Sequence, residues 1–156
     1  MKINTKIMGE IEVADEKILT FENGIIGFTK NKHFALIHDE KSGNNAGIRW
    51  LQATDDESLA IPVMDPLNIV KEYNPVVEEE MLKSLGNIED DNLLVLVTVT
   101  IPKDLTQMRI NLKAPMVINV ADKKGAQLIL DNDEYPVKFP IYQILLKAKE
   151  SNGKEA

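Results

Sequence analysis

The sequence predicts a mainly β fold: one antiparallel β-barrel-like or sandwich domain with a single short helix near residues 75–85. Three observations carry this. Apolar and polar residues alternate with period two in several segments. Short apolar runs follow one another at close spacing, with turn residues between them. One segment alone has both ends of a helix signalled. A length of 156 residues fits one domain, and 44% hydrophobic residues are enough to fill a core. The domain is expected over residues 1–149, and 150–156 are expected to be a disordered polar tail because they have little apolar surface to bury.

The elements follow in order. Ile3, Thr5 and Ile7 alternate with Asn4 and Lys6, and Ile11 and Val13 alternate with Glu10 and Glu12. Successive strand side chains point to opposite faces, so each segment has a wet and a dry side, with Gly9 as the turn or bulge between them. Further strands are expected at Ile18–Phe21, Phe34–His38, Gly47–Ala53 and Leu59–Met64, with a turn at Lys41–Asn45. Leu93–Ile101 is the strongest strand. Its odd positions are all apolar and its even positions become polar at Thr98, so one end is expected to be buried on both faces. Met108–Asn111, Met116–Val120 and Gln127–Leu130 complete the set, separated by Ala114-Pro115 and Asp122–Gly125.

The helix has Asn74 as N-cap, Pro75 in its first turn, and Val77, Met81, Leu82 and Leu85 as its apolar stripe. Gly86 can supply its left-handed C-terminal cap. Residues 141–149 fit either period.

Composition excludes several chemistries. Zero cysteines remove disulfides, thiolate metal sites and a cysteine nucleophile. A net charge of −7 opposes direct binding to nucleic acid. The longest strongly apolar run, Leu93 to Val97, is far short of the roughly 20 residues that span a bilayer. The start lacks an apolar secretory segment, so the chain reads as cytoplasmic.

His33 and His38 stand five apart, which puts them on opposite faces of one strand and keeps them from sharing a metal. Gly24-Ile25-Ile26-Gly27 lacks the third glycine of a dinucleotide loop and the lysine of a P-loop, and reads as a backbone turn. Asp131–Glu134 lacks the spacing of a calcium loop. No catalytic residue, cofactor, metal or small-molecule substrate is expected.

Charge is unevenly distributed. Between Asp55 and Asp91 stand eleven acids against Lys71 and Lys83, an excess of nine negative charges where the whole chain has seven. Glu78, Glu79, Glu80, Glu89, Asp90 and Asp91 are the candidate partner-binding residues of this segment. Such a surface steers a basic partner and repels that partner's polyanion.

Several segments resemble one family in order along the chain. Phe21, Gly24, Gly27 and Phe28 fit a Phe-x-x-Gly-hydrophobic-x-Gly-Phe pattern. Leu51 and Gln52 follow the aromatic Trp50, and Asp65-Pro66 precedes Tyr73 at a matching distance. Val97–Pro102 fits a strand end loosely. Asn111-Leu112-Lys113-Ala114-Pro115, running on to Asn119, is the strongest match, followed by Gln127–Leu130 and Tyr135. Together these resemble the flagellar assembly factor FliW family. These positions are expected to be structural, with Phe21 and Phe28 in the core.

The resemblance implies a compact, mostly antiparallel barrel-like fold and a cytoplasmic, non-enzymatic role. Its implied partners are flagellin and the RNA-binding translational regulator CsrA, whose repression of flagellin translation it would relieve. A small β-barrel enzyme or ligand-binding domain is the competing reading, and direct RNA or DNA binding ranks last.

Overall fold

The computed structural model describes residues 1–38, 47–73, 82–83, 85–86, 92–130 and 135–147. Eleven strands are formed among these residues: β1 Lys2–Thr5, β2 Gly9–Glu12, β3 Ile18–Thr20, β4 His33–Ile37, β5 Arg49–Ala53, β6 Ala60–Met64, β7 Leu93–Thr100, β8 Arg109–Ile110, β9 Met116–Asn119, β10 Lys124–Gln127 and β11 Phe139–Pro140. A short helix, α1, runs over 142–147.

Strands β7, β6, β5, β4, β3, β10 and β9 are neighbours in that order, and β9 pairs back onto β7. The sheet is therefore closed into a seven-stranded barrel, which removes the edges an open sheet would expose. The neighbours are antiparallel except for β3 and β10, which run parallel.

The period-two pattern decides which side chains fill the barrel. Leu19, Phe34, Leu51, Ala53, Ile61, Val63, Leu96, Met116 and Ile118 point inward and pack with Phe21 and Ile25. The Phe21 and Phe34 rings meet edge to face, with centroids 5.6 Å apart.

Further layers cover the barrel outside. The β1–β2 hairpin lays Ile3, Met8 and Ile11 over Ala35, Ile37 and Trp50. Met108, Ile110, Leu112, Ile141, Phe139 and Leu145 cover Val97 and Val99 on the outward face of β7. Strand β7 is thus dressed on both sides over much of its length, because Leu94 and Leu96 face in while Val95, Val97 and Val99 face covering layers. Its apolar odd row is the row that faces outward.

Most expected strands are present within a few residues of their sequence bounds. Three differences have physical causes. The last ring strand begins at Lys124, earlier than the apolar run Gln127–Leu130 suggests. Lys123 makes the turn at φ 57, and Gly125 lies inside the strand because the Phe21 ring occupies the space a side chain would need. Strand β11 has no alternation to reveal it, being two residues long.

The expected core position of Phe28 is the third difference. Phe28 stands in the open at 43% exposure, because Ile25 of the same loop takes the interior place. The short helix expected near 75–85 falls mostly outside the described residues. Leu82, Lys83 and Leu85 adopt a 3-10 conformation, and Leu85 is fully buried against Val117 and Leu128. The Lys41–Asn45 turn, the Asp131–Glu134 segment and the polar tail also lie outside the described residues.

Candidate protein-binding surface

Several residues of the family-like pattern are joints of the scaffold. Gln52 is fully buried and ties three pieces together. Its Oε1 accepts from the Lys6 N–H at 3.0 Å, fastening the β1–β2 hairpin. Its Nε2 donates to the carbonyls of Ala53 and Asp56, closing the β5–β6 turn. Leu51, one residue earlier, fills the barrel.

Asp65 caps a single 3-10 turn, accepting from the Leu67 N–H at 2.9 Å, and Pro66 is buried at the start of that turn. The chain then reaches Tyr73, whose hydroxyl donates to the Leu112 carbonyl at 2.7 Å and whose ring packs on Tyr135. Burial pushes the Tyr73 phenol well above its ordinary value, and the neighbouring Tyr135 adds to this.

The Asn111–Pro115 run is an excursion from the sheet. Leu96 pairs with Met116 and Val99 with Ile110, so three steps along β7 face six along the partner. The extra residues loop out, and Asn111 Oδ1 holds the loop by accepting from the N–H groups of Lys113 and Ala114. The carbonyls of Lys113 and Pro115 then accept from Leu130 and Leu128, extending the β9–β10 pairing beyond the end of β10. Asn119 is fully buried. Its Nδ2 donates to the Leu85 carbonyl at 2.8 Å, and its Oδ1 accepts from Ala121 and Asp122 in the β9–β10 turn.

The loop after β3 is different in character. Phe21 and Ile25 go inward, whereas Ile26 and Phe28 are 53% and 43% exposed. Gly24 and Gly27 take φ +70° and +88°, and an added Cβ at Gly24 would lie 2.6 Å from the Thr29 Cα. The Ile26 N–H donates to Gln127 Oε1. Ile129 lies two residues beyond Gln127, so it leaves the strand on the same face, and it is 56% exposed.

Ile26, Phe28 and Ile129 thus stand at one end of the barrel. The acidic turn Asp55-Asp56-Glu57 is at the same end, since Asn31 Nδ2 donates to Asp55 Oδ1 at 3.1 Å and the Thr54 N–H donates to the His33 carbonyl. Chemically this is an apolar surface beside carboxylates. It can exclude water against an apolar partner face flanked by cations.

The sequence cluster of acids is not one patch among the described residues. Asp55, Asp56 and Glu57 precede β6, while Asp65 and Glu72 follow it. Five strand residues separate the two groups, roughly 15 Å at the usual rise. Glu78, Glu79, Glu80, Glu89, Asp90 and Asp91 lie outside the described residues. Sequence reasoning missed Ile26 and Ile129 as surface residues. The signal available for Ile26 was its place between two glycines, where a turn turns one side chain in and the next one out.

The family model described as FliW protein matches residues 2–141. This chain belongs to the FliW family. It is 51% identical to the flagellar assembly factor FliW of Lachnospira eligens, over 94% of this chain and 98% of that one. It is 45% identical to the flagellar assembly factor FliW of Lachnoclostridium phytofermentans, over 98% and 99%. A crystal structure of the flagellar assembly factor FliW superposes with a TM-score of 0.81 at 30% identity, covering 90% of this chain and 96% of that one. The barrel and its joints are therefore FliW architecture, and the family is one of flagellar assembly factors. No described helix is long and apolar enough to cross a membrane.

Proposed function

We propose that this protein is a cytoplasmic, non-catalytic regulator of flagellar assembly that binds flagellin and antagonises a CsrA-type translational regulator. The observation that carries the reading is the end-to-end match to flagellar assembly factors. Two features of the chain support the two partners separately. The acidic excess between Asp55 and Asp91 suits a basic RNA-binding protein: opposite charge speeds docking, and the same carboxylates oppose RNA near the docked complex. The apolar barrel end with Ile26, Phe28 and Ile129 suits the apolar face of an amphipathic flagellin segment. Capture of flagellin relieves that segment of its exposed apolar surface before assembly, and binding of the regulator frees flagellin translation.

The test uses purified chain, flagellin and the RNA-binding regulator loaded with labelled RNA. The expected result is a stable complex with each protein and release of RNA as this chain is added. Retention of RNA at saturating chain, or no complex with flagellin, overturns the corresponding half of the reading.

A further inference from the structure

One junction of the barrel is built unlike the rest. Strands β3 and β10 share a single registered pair, Thr20 with Lys124, whereas β4–β5 and β9–β10 each share four. The Thr20 N–H still crosses the junction to the Lys123 carbonyl at 2.9 Å, but the Phe21 N–H faces the other way, to the Lys32 carbonyl, and the chain then turns, with the Gly24 N–H on the Phe21 carbonyl. The other side of the junction continues, since β10 pairs with β9 over four residues and the Leu128 and Leu130 N–H groups donate to the Pro115 and Lys113 carbonyls beyond it.

The gap beside it is filled by the 21–28 loop. The Phe21 ring rests on Gly125, so closely that a Cβ there would be 2.5 Å from it. Ile25 drops into the barrel interior. The fastening is a side chain: Gln127 Oε1 accepts from the Ile26 N–H at 2.8 Å, while its Nε2 donates to the Ala114 carbonyl at 3.1 Å. The loop itself is braced, with the Gly24 N–H on the Phe21 carbonyl and the Phe28 N–H on the Ile25 carbonyl. Its two bends are glycines at positive φ, Gly24 and Gly27. A stiff loop on glycine bends, held by one amide across a junction with little ladder, is a unit that releases before the sheet does.

We propose that residues 21–28 form a hinged plug latched by Gln127, and that the β3–β10 seam is where this barrel opens first in the native state. Opening releases Phe21 and Ile25 from the interior and bares the flank of β10 and the residues that follow it. The inference stands on the barrel alone and does not depend on which partners the protein binds.

The experiment is hydrogen exchange of the full chain, read by peptide. In the parent, peptides covering 21–28 and 124–130 exchange in step and at least about tenfold faster than those covering β4 and β5. Gln127→Leu removes the latch to Ile26 and its anchor on Ala114, and speeds both seam peptides by at least about tenfold, the scale of one lost hydrogen bond or more, with β4 and β5 unchanged. Thr20→Cys with Lys124→Cys puts a thiol pair across the seam of a chain that has no other cysteine. Neighbouring strands lie within disulfide reach. The oxidised form slows both seam peptides, and a reductant restores them.

Seam peptides as protected as β4 and β5 in the parent would overturn the proposal. So would a folded Gln127→Leu variant with unchanged exchange, or a disulfide confirmed by mass that leaves the seam rates as they were. Should Gln127→Leu fail to fold, the parent and the thiol pair decide alone.

Discussion

At the scale of residues, the polar groups of Gln52, Tyr73 and Asn119 each join segments far apart in sequence. Tyr73 is the sharpest case, because its hydroxyl reaches the Leu112 carbonyl across 39 residues. Tyr73→Phe keeps the ring contact with Tyr135 but leaves that carbonyl without its donor, so stability should fall by about 1–2 kcal/mol in denaturant unfolding. The same phenol gives a pH dependence. Its folded-state pKa is raised, so the fold favours the protonated form. The stability it contributes is complete below the ordinary value of about 10 and is lost as pH rises toward the higher folded value. A titration followed by phenolate absorbance should show one tyrosine lagging the others, and Tyr73→Phe should remove the laggard. Gly125 is limited by contact, since its φ is not in the left-handed region. Gly125→Ala must displace the Phe21 ring, which is held edge-on to Phe34, at a cost of about 1–3 kcal/mol. An unaltered unfolding midpoint would show that the ring has room to move.

At the scale of elements, alternation in the sequence was a faithful guide wherever one face of a strand meets the core. Leu93–Thr100 was legible because both of its apolar rows find cover, one in the barrel and one under the layer of Ile110 and Ile141. Alternation had nothing to say about Lys124–Gln127. There a lysine, a glycine and a glutamine hold strand conformation because β9 pairs with them and Phe21 needs the glycine's missing side chain. The core place expected for Phe28 came with the family-like pattern, and it failed because a loop has no period and Ile25 takes the inward place instead. The roles of Gln52, Asn111 and Asn119 were unreadable for a related reason: their partners are backbone groups that only the fold brings near. The surface of Ile26 and Ile129 depends on two segments about a hundred residues apart meeting at Gln127. Asn119 shows how such a joint holds an element in place. Asn119→Ala removes the donor to the Leu85 carbonyl and the acceptor for the β9–β10 turn, so a loss of about 2–3 kcal/mol is expected. Asn119→Asp keeps an acceptor but sets a buried carboxylate against the Leu85 carbonyl and the Asp122 carboxylate, so it should cost at least as much as Asn119→Ala in thermal unfolding.

At the scale of the whole molecule, the charge balance sets how the protein meets a partner at a distance. The net charge of −7 is smaller than the excess of nine carried between Asp55 and Asp91, so the rest of the chain is slightly basic. Within the described residues the acids of that segment divide between the two ends of the barrel, and a field of this kind acts through its sum more than through any one contact. Screening limits its reach to about 8 Å at 0.15 M salt, so steering must appear chiefly at low ionic strength. Converting Glu78, Glu79, Glu80, Glu89, Asp90 and Asp91 to their amides removes six of the chain's seven net negative charges and leaves −1. If the proposed basic partner is the RNA-binding regulator, its association rate with this variant at low salt should fall by about tenfold or more, the lower end of what steering supplies. The dependence of that rate on salt should flatten, because the long-range term has been removed from one side. Dissociation should change less, and flagellin binding should keep its rate, since an apolar contact gains little from steering. Stopped-flow association measured over a salt series separates these terms. An association rate that matches the parent at every salt concentration would show that the six carboxylates do not guide the encounter, and the acidic segment would then have no part in recognising that partner.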